Sequence, residues 1–183
     1  MKGTTTIMFT PIEPESASGS TADLLIRVWK SLGSAPNMTK VMANSPTLLK
    51  SYLALFSAVS AGTIPAAVRV RLAIATAQLN RCEYCLSAHT YIGANIARVD
   101  ASELEKARSG ESDDPHVAAL LKLSNTIANN EGALQDADIA AACKASVTEE
   151  EIGELVANLA LNTMTNYFNV MARVDNDWPI VPL

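Results

Sequence analysis

The stretch NRCEYCLSAHTYIG, from Asn80 to Gly93, holds two of the three cysteines and one of the two histidines in this 183-residue chain. The spacing is Cys82-x-x-Cys85-x-x-x-His89. Residues three, four and seven apart share one face of a helix, so a helical reading brings both thiols and the imidazole together. Asn80 then reads as an N-cap, and the first helical turn offers unpaired N–H groups and partial positive charge near Cys82. Whether the triplet is a redox pair, a metal clip or part of an inert helical core depends on the sequence around it.

That sequence is helical in pattern. Apolar residues make up 49% of the chain and aromatic residues only 5%, a mixture suited to packed helices rather than an aromatic-rich sheet. Upstream, Pro65 opens AAVRVRLAIATAQL, and Asn80-Arg81 interrupts it. Ser45-Pro46 caps and starts a helix through LLKSYLALFSAVSAG that ends near Gly62. Earlier still, Leu24, Leu25, Val28, Trp29 and Leu32 recur at helical spacing until Gly33. Downstream, CEYCLSAHTYIGANIARV reads as one helix, and Asp100-Ala-Ser-Glu103 has the spacing of a capping box at the start of a short one. Asp114-Pro115 starts HVAALLKLSNTIANN, and a short element follows over Asp136–Lys144. A second capping box, Thr148 to Glu151, opens a long apolar helix through ELVANLALNTMTNYFNVMARV. No strand pair or hairpin signal is present. The pattern predicts a single all-α domain of roughly eight or nine helices over residues 21–183, after a loose Thr/Ser/Pro-rich arm over residues 1–20.

Several function classes are disfavoured. The net charge is -5 and no Lys/Arg cluster occurs, so a nucleic-acid partner has no electrostatic footprint. No apolar run reaches the roughly 18–20 residues of a membrane span. The N-terminal MKGTTTIMFTPIEPESASGS lacks the apolar segment of a secretory signal. Three cysteines, two of them in a CxxC, do not make a secreted disulfide framework, which points to a cytoplasmic protein.

In such a setting Cys82 and Cys85 are suited to redox chemistry. A helix N-terminus stabilises a thiolate, and a CxxC closes into a disulfide with little backbone movement. His89 is suited to accept a proton from Cys85, directly or through water. Structural zinc would need a fourth ligand, and no second CxxC or HxxxH exists. A c-type haem site would need His where Leu86 stands. Inert core cysteines beside a buried histidine are the bland alternative. Elsewhere, His116 reads as a surface residue, Cys143 as a small core residue, and Trp178 as packing on the body or on a neighbouring subunit. Asn166, Tyr167 and Asn169 read as helix packing with satisfied amides in preference to a wall of the active site.

The run LAIATAQLNRCEYCLSAHTYIG resembles the core of the AhpD-like alkylhydroperoxidases of the carboxymuconolactone decarboxylase superfamily. SPTLLKSYLALFSAVSAGTIPAAVR resembles the helix pair before that core, and TNYFNVMARVDNDWP the closing segment of the peroxidase-related branch. The resemblance covers roughly residues 35–180, with the CxxCxxxH core at 66–98 as its specific part. It implies an AhpD-like helical subunit that assembles as a homo-trimer or homo-hexamer. It also implies a peroxidase without haem, flavin or metal, taking a hydroperoxide as substrate and a thiol or dihydrolipoyl compound as electron donor. On it, Cys85 matches the peroxide-reacting cysteine, Cys82 its disulfide partner and His89 the proton-relay histidine.

The sequence departs from the family at two places. Val70, between Arg69 and Arg71, stands where those enzymes carry a glutamate twelve residues before the first cysteine, and Tyr84 stands where they carry a histidine. The relay is incomplete, which keeps two other readings open: a general thiol-disulfide oxidoreductase without peroxide turnover, and a non-enzymatic helical assembly protein.

Overall fold

The computed structural model describes residues 9–183. Among them are a 3-10 turn at Pro14–Ser16 and nine α-helices, with no strand. The helices are α1 (Gly19–Leu32), α2 (Asn37–Met42), α3 (Pro46–Ser60), α4 (Ala66–Leu79), α5 (Glu83–Asn95), α6 (Ala101–Arg108), α7 (Pro115–Asn129), α8 (Asp136–Lys144) and α9 (Glu149–Ala172). No helix among the described residues is long and apolar enough to cross a membrane.

The fold is organised around α4. Its sequence is apolar nearly all round, with Val68, Val70, Leu72, Ala73, Ile74, Ala75 and Ala77 buried, and a helix of that kind belongs at the centre of a bundle. Helices α5, α6, α7 and α9 all pack against it. On one side Ile74 and Ala77 join a core built from α1, α2, α3, α5 and the later part of α9. On another, Val68, Leu72 and Ala75 join a core with α7, α8 and the start of α9. The two thiols of the CxxC lie in the first of these cores.

The helix starts follow their sequence signals in most places. Ser45 accepts the N–H of Leu48, Asp114 accepts those of His116 and Val117, and Thr148 and Glu151 form the reciprocal capping box. The box expected at Asp100 and Glu103 does not form. Glu103 instead pairs with the buried Arg71 at 2.9 Å and accepts from Ser112 Oγ and the Asp113 N–H. A partner on α4 wins because Arg71, 9% exposed, needs a counter-charge in the interior. Helix α2 was not anticipated: six residues give too short a pattern to read. Helix α5 ends at Asn95, short of the expected Val99.

Residues 1–8 of the expected arm lie outside the described residues. From Phe9 onward the segment is docked. Phe9 packs on Phe168 with ring centroids 5.9 Å apart, Ile12 N–H donates to Lys40 O, and Glu13 pairs with Lys40.

Candidate active site

The α4–α5 junction sets the thiols. Asn80 is not the N-cap of α5 but the C-cap of α4, and Arg81 follows in the left-handed region at φ 53°. Cys82 N–H then donates to Ala77 O, which folds the chain back sharply, and Cys82 itself becomes the N-cap. Its sulfur accepts the backbone N–H of Cys85 at 3.3 Å, the role an Asp or Ser oxygen plays at other helix starts. Cys82 and Cys85 are only 1% and 3% exposed.

Their surroundings separate the two thiols. The Cys85 side chain hydrogen-bonds to Cys82 and pulls its pKa below the ordinary thiol value against the opposing effect of burial, with help from the Cys85 N–H, Asn169 and the Tyr84 N–H. Burial, and then the neighbouring Cys82, push the Cys85 thiol well up. Within the pair these surroundings favour the thiolate on Cys82 and the proton on Cys85.

His89 lies one turn after Cys85 and is half-buried. Its imidazole is packed deeply enough that loss of hydration drives its pKa down to about 4. Among the described residues it makes no hydrogen bond with either sulfur. Val70 is buried and apolar, so α4 supplies no carboxylate there.

The polar partners come from α9. Asn169 Nδ2 donates to Cys85 Sγ at 3.1 Å, and Asn166 Oδ1 accepts from Asn80 Nδ2 at 3.1 Å. The expectation of satisfied packing amides fails here: Asn166 Nδ2 and Asn169 Oδ1 are buried with no hydrogen-bond partner among the described residues. Tyr167, by contrast, points outward at 62% exposure. Sequence contained one signal for the amides, their presence on an otherwise apolar helix. The register of α9 against α5, which sequence does not encode locally, aims them at the thiols.

The C-terminal tail crosses the other side of α5. Ser87 Oγ accepts from Asn176 Nδ2 and the Val181 N–H, at 3.1 and 2.9 Å. Trp178 packs on Tyr91 of α5 with ring centroids 5.5 Å apart. One other residue departs from expectation. Cys143 is exposed on α8 rather than in a core. His116 bridges Ala145 O at 2.9 Å and Glu151 Oε1 at 2.8 Å, tying α7 to the α8–α9 turn.

Residues 46–111 match the carboxymuconolactone decarboxylase family, a span that takes in α3 to α6 with Cys82, Cys85 and His89. No protein with a curated description matches the sequence. Solved structures share the fold across nearly the whole length. An AhpD-core, peroxidase-related protein from Ralstonia eutropha JMP134 superposes with a TM-score of 0.81 at 19% identity, covering 95% of this chain and 94% of that one. A peroxidase-related protein from Silicibacter sp. TM1040 gives 0.77 at 17% identity, covering 96% and 95%. The debrominase Bmp8, in complex with 2,3,4-tribromopyrrole, gives 0.77 at 20% identity, covering 94% and 93%. One fold thus carries differently named proteins, and the chemistry of each rests on its own site residues.

Proposed function

We propose that this chain, whose residues 46–111 match the carboxymuconolactone decarboxylase family, is an AhpD-like thiol-dependent peroxidase acting through Cys82 and Cys85. The observation that carries this reading is the unequal thiol pair at the start of α5: one sulfur favoured as thiolate, the other held as thiol beside it.

The reaction balances on these groups. The Cys82 thiolate attacks the terminal oxygen of a hydroperoxide, an S–O bond forms, and the O–O bond breaks. Cys82 becomes a sulfenic acid, and the inner oxygen leaves as an alkoxide that takes the Cys85 proton. The Cys85 thiolate then attacks the Cys82 sulfur and expels hydroxide, closing the disulfide. The proton first released from Cys82 converts that hydroxide to water. His89, neutral at working pH, relays this proton to and from water rather than storing it. Two thiols and one hydroperoxide give one disulfide, one alcohol and one water. A thiol or dihydrolipoyl donor restores the pair. The subunit assembles as a homo-trimer or homo-hexamer in the cytoplasm, and exposed Val156, Tyr167, Val170 and Met171 on α9 give it an apolar stripe to bury.

The test is a free-thiol count before and after one equivalent of an organic hydroperoxide. Loss of Cys82 and Cys85 together, with one alcohol formed per disulfide, supports the reading. A protein that forms the disulfide with an oxidised dithiol but not with hydroperoxide is a general thiol-disulfide oxidoreductase.

A further inference from the structure

Helix α9 carries four buried asparagines, Asn158, Asn162, Asn166 and Asn169. The first two are satisfied within their own helix: Asn158 Nδ2 donates to Glu154 O at 2.9 Å and Asn162 Nδ2 to Asn158 O at 2.8 Å. Asn166 and Asn169 break that series. Both turn toward the α4–α5 junction, where each uses one amide atom on a neighbour and leaves the other bare. They are 0% and 3% exposed. A buried polar atom without a partner is destabilising by about 1–3 kcal/mol, and native chains hold few. Here a donor, Asn166 Nδ2, and an acceptor, Asn169 Oδ1, lie one helical turn apart beside the thiols. The Asn169 donor also favours the ionised form of the Cys85 thiol.

A ligand that satisfies the pair must carry an acceptor and a donor close together. A hydroperoxide group does so on adjacent atoms. We propose that Asn166 and Asn169 receive the O–O–H group of the substrate, Asn169 Oδ1 accepting from its terminal O–H and Asn166 Nδ2 donating to its inner oxygen. This rests on the peroxidase reading and deepens it. The contacts hold the terminal oxygen toward the thiolate. They also place an N–H where the alkoxide charge develops as the O–O bond breaks and the inner oxygen departs with the electron pair. Asn169 keeps its second role, donating to sulfur.

The two residues separate by experiment. Rate constants for thiol oxidation by tert-butyl hydroperoxide are measured beside alkylation of Cys82 by iodoacetamide across pH, with Cys143→Ser as the background. Asn166→Leu is expected to slow hydroperoxide oxidation by roughly 10²-fold, as loss of one transition-state donor does, while the alkylation profile stays in place. Asn169→Leu is expected to slow oxidation and also to move the alkylation profile to higher pH, because the Cys82 thiolate loses the favourable effect of the Asn169 amide. Should the leucine variants fail to fold, Asn166→Asp removes the Nδ2 donor while keeping the acceptor for Asn80, and the same loss is expected of it. Equal losses in oxidation and alkylation for Asn166→Leu, or no loss in either, overturn the proposal. A wild-type protein that alkylates normally but does not react with hydroperoxide overturns the peroxidase reading itself, and the substrate contact falls with it.

Discussion

The phenol of Tyr84 donates a 2.7 Å hydrogen bond to Asp177 and accepts one of 3.2 Å from the backbone N–H of Met38. The residue next to Cys85 thereby ties α5 to the C-terminal tail and to the start of α2. Asn37 N–H donates to the other Asp177 oxygen at 3.0 Å and completes the knot. Since both thiols are buried, a reagent reaches them only when an element near α5 moves, and the tail, bonded to Tyr84 and Ser87, is one such element.

Tyr84→Phe removes the donor to Asp177 and leaves the Met38 N–H without its acceptor. Hydrogen bonds to charged groups contribute about 1.5–3 kcal/mol, so local opening of the tail is expected to become about 10- to 100-fold more frequent. Iodoacetamide should then alkylate Cys82 faster by a similar factor while the far-ultraviolet circular dichroism stays native. An unchanged alkylation rate assigns the opening to another segment.

The two histidines give opposite pH signatures. His89 falls from an ordinary value near 6.5 to about 4 on folding, so between these limits the unfolded chain binds more protons, and stability falls as pH drops through that window. The pKa of His116 is raised, first by Ala145 O and then by Glu151, so its contribution is present below the unfolded value and is lost as pH rises through the folded one. Urea unfolding across pH should show His89→Gln flattening the acid limb and His116→Gln flattening the alkaline one. If His89 carries a proton in turnover, His89→Gln also slows peroxide reduction without changing alkylation of Cys82. An acid limb identical in wild type and His89→Gln removes His89 as its cause.

Sulfenic acid trapping distinguishes the order of the thiols. With Cys82 attacking first, Cys85→Ser accumulates a dimedone adduct on Cys82, and Cys82→Ser gives little adduct on Cys85. The reverse pattern restores the order that the family resemblance implies. In the wild-type protein a mild oxidant should link Cys82 to Cys85, while exposed Cys143 is the thiol that a bulky maleimide modifies fastest.

Gly93→Ala tests the α5–α6 contact that supports the site from behind. A Cβ at Gly93 would lie 2.5 Å from a Leu104 methyl group, too close without movement. Overpacking of this kind destabilises by about 1–3 kcal/mol, and each kcal/mol lowers Tm by about 2–4 °C in a chain of this size. Leu104→Val in the same chain should recover part of the loss. A Gly93→Ala protein melting with wild type means α6 shifts freely.

Much of this molecule is settled within short windows of sequence. Apolar spacing placed eight of the helices, Ser45, Asp114 and Thr148 capped where their side chains can reach the next turn, and the three-residue spacing of Cys82 and Cys85 put both sulfurs at one helix start. These features depend on bonds between residues a few positions apart, and such bonds are legible one after another along the chain. Asn169 reaching Cys85 across 84 positions, Glu103 leaving its own capping box for Arg71, and Tyr84 holding Asp177 across 93 positions depend on helix packing instead. A polar side chain takes whichever partner the packed interior leaves it, because an unpaired buried group is penalised more than a local cap is rewarded. Which thiol ionises, whether His89 is charged and which amide atoms stay bare are decided by burial and by those distant partners, so only the tertiary structure could assign them.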